Sequence, residues 1–137
     1  MMRKFAAATA LTLFASATPS AHAESFGYNL SLTVATHCTV SHSPVGAGAG
    51  NGGEIVLGQI AEYCNAPGGY DVIVSYTPGT LRGAVLAAGE DRVVLNGSGE
   101  AVLSHEVGPR KRERMLLAVP GEAGFDTSML QLRLQAA

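Results

Sequence analysis

Between Phe26 and Val40 apolar and polar residues alternate almost without interruption. Phe26, Tyr28, Leu30, Leu32, Val34, Cys38 and Val40 share one parity, and Asn29, Ser31, Thr33, His37, Thr39 and Ser41 share the other. A period of two is the mark of extended chain, whose side chains point in turn to two opposite faces. At about 3.3 Å per residue the segment reaches roughly 50 Å, whereas an ordinary strand spans roughly 17–20 Å. No sheet in a small domain needs that whole length. The pattern therefore predicts one long strand, part of which serves a neighbouring molecule.

The residues before it read as an export signal. Arg3 and Lys4 are followed by an apolar, alanine-rich run from Phe5 to Ala17, and Ala21-His22-Ala23 places small residues where a signal peptidase cuts. The run is too short to span a bilayer, and Ser16, Thr18, Pro19 and Ser20 interrupt its end. The expectation is a signal peptide at residues 1–23 and a single mature domain at residues 24–137, exported to the periplasm and then the cell surface. The formal net charge of the 137-residue chain is −2, and loss of Arg3 and Lys4 makes it more acidic. Such a balance gives no reason to expect nucleic acid as a partner. No second apolar run is long enough for stable membrane insertion.

Cys38 and Cys64 are the only cysteines. An even count in an oxidising compartment predicts one disulfide between them, worth about 3 kcal/mol on the loop-entropy account. Their spacing is not C-x-x-C, which argues against redox or metal chemistry.

The rest of the chain reads as short strands between turns. Ser43–Gly53 is a glycine-rich surface loop, and no helical pattern follows it as a phosphate-binding loop requires. Glu54–Tyr63 is extended, Asn65–Gly69 is a turn, and Tyr70, Val72, Val74 and Tyr76 alternate. Ala84–Ala88 and Arg92–Leu95 read as a hairpin, Asn96–Gly99 as a hairpin turn leading to Ala101–Leu103, and Arg114–Val119 and Leu130–Leu134 as later strands. Turn residues every eight to twelve positions mark an all-β sandwich or barrel. The mature part has few aromatic residues and no tryptophan, so its core is aliphatic and thin.

No catalytic constellation emerges, and neither an enzyme nor a cofactor is expected. His37 and His42 fall on opposite faces of a regular strand, as do Ser104 and His105. G-x-S-x-G is absent, and the carboxylates are scattered on loops and polar faces. The one charge cluster contains Arg110, Lys111, Arg112 and Arg114. It is a candidate polyanion patch, weighed against a solvated loop or edge strand whose charges discourage aggregation. The second reading is preferred for a mildly acidic domain.

The run Leu32-Thr33-Val34-Ala35-Thr36-His37-Cys38-Thr39-Val40-Ser41 resembles the opening of chaperone–usher pilus subunits, most of all the spore coat protein U-like branch. The glycine-containing strand Ile55–Ile60, then Cys64, a turn and Tyr70-Asp71-Val72 follow in the order seen in that family. The resemblance covers Phe26 to about Tyr76. It implies an immunoglobulin-like β-sandwich, incomplete by one strand, in a structural subunit of an extracellular fimbria. The implied partners are a periplasmic chaperone, an outer-membrane usher and other pilus subunits. By donor-strand complementation, a form of β-augmentation, residues 24–36 of one copy would serve the next. Phe26, Tyr28, Leu30 and Leu32 would be the donor residues, with Val34 near the junction. The alternative is a solitary secreted or periplasmic β-sandwich binding module that presents Gly46–Gly53 or Arg110–Arg114 to a ligand.

Overall fold

The structure is a computed structural model and describes residues 27–45, 48–49, 53–128 and 130–137. Phe26, the expected signal peptide and much of the glycine-rich loop lie outside the described residues. The chain divides into two units, Met1–Leu32 and Thr33–Ala137. In the first, residues 27–32 form no strand and are exposed.

The second unit is all-β: β1 Cys38–Ser43, β2 Gly48–Ala49, β3 Ile55–Cys64, β4 Tyr70–Ser75, β5 Val85–Ala88, β6 Asp91–Val94, β7 Glu100–Glu106, β8 Arg110–Val119 and β9 Gln131–Ala136. The larger, six-stranded sheet runs β1-β3-β8-β5-β6, with β2 also on β3, and the three-stranded sheet runs β7-β4-β9. All pairings are antiparallel. The two sheets form a sandwich-like arrangement, as the strand pattern predicts, and a disulfide joins Cys38 to Cys64.

The long first strand is shorter than its alternation predicts. Pairing of β1 with β3 begins at Cys38↔Cys64, where β3 ends and the chain enters the Asn65–Gly69 turn. Residues 33–37 form no strand despite a strand-like pattern.

Three other expectations change. β2 lies inside the predicted glycine-rich loop and pairs with Ile55 and Val56, further along the same side of β3 as β1. Asn96–Gly99 is not a hairpin turn. It carries the chain from β6 in one sheet to β7 in the other, steadied by Gly97 N donating to Tyr76 Oη at 3.2 Å and Gly79 N to the Gly97 carbonyl at 2.8 Å. The strand predicted from Arg114 begins at Arg110, and β8 sits between β3 and β5, so it is neither a loop nor an edge.

Alternation places the core. Ile60 on β3, Tyr70, Val72 and Val74 on β4, Leu86 on β5 and Leu116 on β8 are fully buried. Val40, Leu57, Phe125, Leu130, Leu132 and Leu134 pack against them but remain only partly buried. Fully covering an aliphatic side chain of this size is worth about 1.5–3 kcal/mol, so this rim leaves stabilisation unrealised.

The register shifts between Val56 and Gly58, a bulge where Gly58 adopts φ of 133°. A Cβ at this position would overlap the Ser43 carbonyl oxygen and lie 2.9 Å from Pro44 Cα. Both the backbone angle and the close approach demand glycine. We predict that Gly58→Ala lowers unfolding stability by about 2 kcal/mol or more, measured by urea denaturation; an unchanged midpoint would contradict this packing.

Candidate functional site

β1 and β9 are edge strands of the two sheets and adjoin one another. Among the described residues, β1 pairs only with β3, and β9 only with β4. Past the Ser43 end of β1, the partly buried rim opens into a groove of about 500 Å3. Pro44 and Val45 after β1, Ile55 and Leu57 of β3, and Phe125 and Leu130 before β9 line it. Leu132 and Leu134 continue the apolar row along β9, while Gln131, Arg133 and Gln135 face outward as their parity predicts. His42 also borders the groove, but its Nε2 lies 2.9 Å from the Leu57 carbonyl oxygen. The groove thus offers apolar contacts at the end of one unpaired strand edge, that of β1; apolar contact and an open edge are the two requirements for receiving an extended segment.

The sequence-predicted donor residues lie in the open. Tyr28, Leu30 and Leu32 are 94%, 92% and 81% exposed, and Val34 is 68% exposed. Apolar side chains so exposed and so regularly spaced are unusual in a chain that otherwise buries its aliphatics.

The candidate polyanion patch is largely committed within the fold. Arg114 is buried, Arg110 pairs with Glu106 at 3.1 Å, and Arg112 binds Glu106 and approaches Asp91 at 3.6 Å. Lys111 is exposed. Four free cations side by side are therefore not presented, because alternation along β8 sends Arg112 and Arg114 to the face that carries Leu116.

Arg114 is the centre of a cluster that links the sheets. Its Nε donates to Glu62 Oε1 at 2.8 Å, and its Nη2 donates to the same oxygen at 2.5 Å and to Ser104 Oγ at 2.9 Å. Nη1 donates to the Ala88 carbonyl at 3.1 Å and to Asp91 Oδ2 at 2.5 Å. From the smaller sheet, Tyr70 Oη donates to Glu62 Oε2 at 2.9 Å. Among the described residues no buried side-chain nitrogen or oxygen lacks a partner. The expectation that carboxylates sit on loops and polar faces fails for Glu62 and Glu106, which are buried. The signal was in the parity: Glu62 alternates with Ile60 and Cys64, and Arg114 with Leu116 and Ala118, all of them inward positions. Burial first, and then the bond to Glu62, push the Tyr70 phenol well above its ordinary value.

The remaining candidates stay apart. Ser104 is buried while His105 is exposed and pairs with Asp71 at 2.6 Å. His37 is exposed, and among the described residues no group of three metal-ligating side chains occurs. No helix among them is long and apolar enough to cross a membrane. Comparison with protein-family models, with curated proteins and with solved structures finds no match to this chain.

Two predictions follow from the cluster. Arg114→Leu strands the buried Glu62 charge and lowers stability by about 3–5 kcal/mol in denaturant unfolding; a loss below 1 kcal/mol would contradict the network. A phenol that is harder to ionise in the folded state than in the unfolded one stabilises the fold fully below the unfolded value of about 10. That contribution is lost as pH rises from there towards the higher folded value. Tyr70→Phe should therefore lose less stability than the parent above pH of about 10, checked by thermal melts across an alkaline series.

Proposed function

We propose that this chain is a structural subunit of an extracellular fimbria, assembled when residues 24–36 of one copy complete the apolar groove of another. The observation that carries this reading is the presence, within one chain, of an uncovered alternating segment and of an apolar groove at the end of the edge strand β1. The chemistry of the two is complementary. Tyr28, Leu30, Leu32 and Val34 present one apolar parity, and the groove offers Val45, Leu57, Phe125 and Leu130 with the His42 end of β1 beside them. An inserted strand gains main-chain hydrogen bonds from the edges and buries alternate side chains in the groove.

The same reading accounts for partners. Open edges beside an apolar groove invite indiscriminate pairing, so an exported subunit of this kind needs a periplasmic chaperone to cover them and an outer-membrane usher to exchange chaperone for subunit. No reacting group is required, and the immunoglobulin-like arrangement supplies only the frame.

The test is a synthetic peptide with the sequence of Glu24–Thr36 added to the purified protein. At a hundredfold excess over its dissociation constant it should add about 2.7 kcal/mol and raise Tm by about 10 °C or more. A peptide carrying Asp at the positions of Leu30 and Leu32 should leave Tm unchanged, and Leu30→Asp in the full chain should abolish fibres. A stable monomer indifferent to the native peptide would sink the fibre reading and favour the solitary binding module.

A further inference from the structure

Arg82 stands apart from the other described arginines. Arg92, Arg110, Arg112, Arg114 and Arg133 each pair with a carboxylate. Among the described residues Arg82 has neither an ion pair nor a side-chain hydrogen bond, and it is exposed. It lies at the end of the sandwich away from the Cys38–Cys64 disulfide, where the β4–β5, β6–β7 and β8–β9 connections meet. Two clefts open there. One, of about 630 Å3, lies between Arg82 and the turn at Pro120–Ala123 and includes Glu122. The other, of about 390 Å3, runs from Gly79 and Thr80 past Arg82 to Phe125 and Asp126. Arg82 borders both.

The backbone aims this side chain. Leu81 has φ of 52°, a left-handed conformation that is costly for a bulky residue and persists only where its surroundings enforce it. Here burial enforces it: Leu81 belongs to the core cluster, and Ala84 N donates to its carbonyl at 3.0 Å. With Leu81 turned into the core, Arg82 is turned out. The loop is tied to the β6–β7 connection by Gly83 N donating to the Leu95 carbonyl and Gly79 N to the Gly97 carbonyl, both at 2.8 Å. The guanidinium lies along Gly97, where an added Cβ would come within 3.4 Å of Nε and 3.5 Å of Nη2. Gly121 seats the β8–β9 connection on the same loop, because a Cβ there would lie 2.5 Å from the Arg82 carbonyl oxygen and 2.9 Å from Ala84 N. Three connections thus fix one unpaired cation between two clefts, the preorganisation on which ligand affinity depends.

The groups around Arg82 select the ligand. A guanidinium fork matches a carboxylate or a phosphate through two parallel hydrogen bonds. Glu122 and Asp126 border the same clefts, so a ligand with several negative charges meets like charge beside Arg82. Ser128 donates to Asp126 from N at 2.8 Å and from Oγ at 2.9 Å, which holds the Asp126 carboxyl below its usual range and keeps it an acceptor at neutral pH. Carboxylates accept protons from hydroxyl groups, and the half-buried Phe125 offers an apolar ring. We infer that the Arg82 clefts bind a singly charged carboxylate rich in hydroxyl groups, of the size of an acidic monosaccharide, with its carboxylate on Arg82, hydroxyls on Asp126 and Glu122 and an apolar ring face on Phe125. The inference does not rest on the fibre reading, whose groove shares only Phe125 with these clefts.

The experiment titrates glucuronate and N-acetylneuraminate into the purified protein and follows amide chemical shifts, with glucose and inorganic sulfate as controls. The ordinary efficiency of a ligand of about 13 non-hydrogen atoms gives a Kd on the order of 1 mM. Shifts should gather in residues 79–84 and 121–126 for at least one acidic sugar, and glucose and sulfate should bind about tenfold more weakly or less. Arg82→Gln should weaken the acidic sugar about tenfold or more with Tm unchanged, since the variant removes a charge-assisted pair from an exposed position. Arg82→Lys keeps the charge without the fork and should fall between the two. No shift in these residues at about 10 mM of either acidic sugar, tenfold above that Kd, overturns the site. Undiminished binding by Arg82→Gln overturns it as well, and glucose or sulfate binding as tightly as the acidic sugars overturns the ligand class.

Discussion

Backbone N–H and C=O groups withdrawn from water need partners, and in this chain the partners for the first strand run out at Cys64. β3 is ten residues long and holds β1 and β2 on one side and β8 on the other. Where it ends, β1 begins; past the bulge at Gly58, the same side carries β2. The disulfide fastens the same terminus, at the first rung of the β1–β3 ladder. The exposed state of Val34 follows from this limit on pairing. On the proposed reading that limit is also the source of assembly, since a second copy supplies the missing ladder.

The sandwich is held in two different ways at its two ends. Beside Cys38 and Cys64, the Arg114–Glu62–Tyr70–Ser104 cluster joins β8 and β3 to β4 and β7 through hydrogen bonds in a dry interior. Towards Pro44 and Leu130, aliphatic side chains meet across a gap and remain partly uncovered. A fully satisfied polar cluster specifies how the sheets align, because misalignment leaves buried charges unpartnered. An aliphatic groove imposes no such demand and accepts any apolar side chain of suitable size. The rigid end and the receptive end are therefore chemically distinct.

Much of this was legible before any coordinates. Alternation in Tyr70–Tyr76 and Leu130–Leu134, the turn at Asn65–Gly69, the hairpin of Ala84–Ala88 with Arg92–Leu95 and the pairing of Cys38 with Cys64 all depend on local pattern or simple counting, and the structure has strands, a turn, a hairpin and a disulfide there. The cluster around Arg114 was half legible. Charged residues at inward parity in β3 and β8 announce a buried pair, but nothing local says that Glu62 and Arg114 are diagonal neighbours or that Tyr70 reaches across from the other sheet. The basic run at Arg110–Arg114 is a similar case: its acidic partners Glu106 and Asp91 lie on other strands and no local pattern announces them.

The sequence by itself determined the periodicities: which segments extend, which side chains share a face, and that Phe26–Val34 carries an apolar row. It did so because side-chain direction in extended chain depends only on position parity. Tertiary structure alone decided which of those rows finds a cover. Covering is a property of neighbours distant in sequence: the β1–β3 ladder stops at Cys38↔Cys64, and the groove lined by Val45, Leu57, Phe125 and Leu130 stays open.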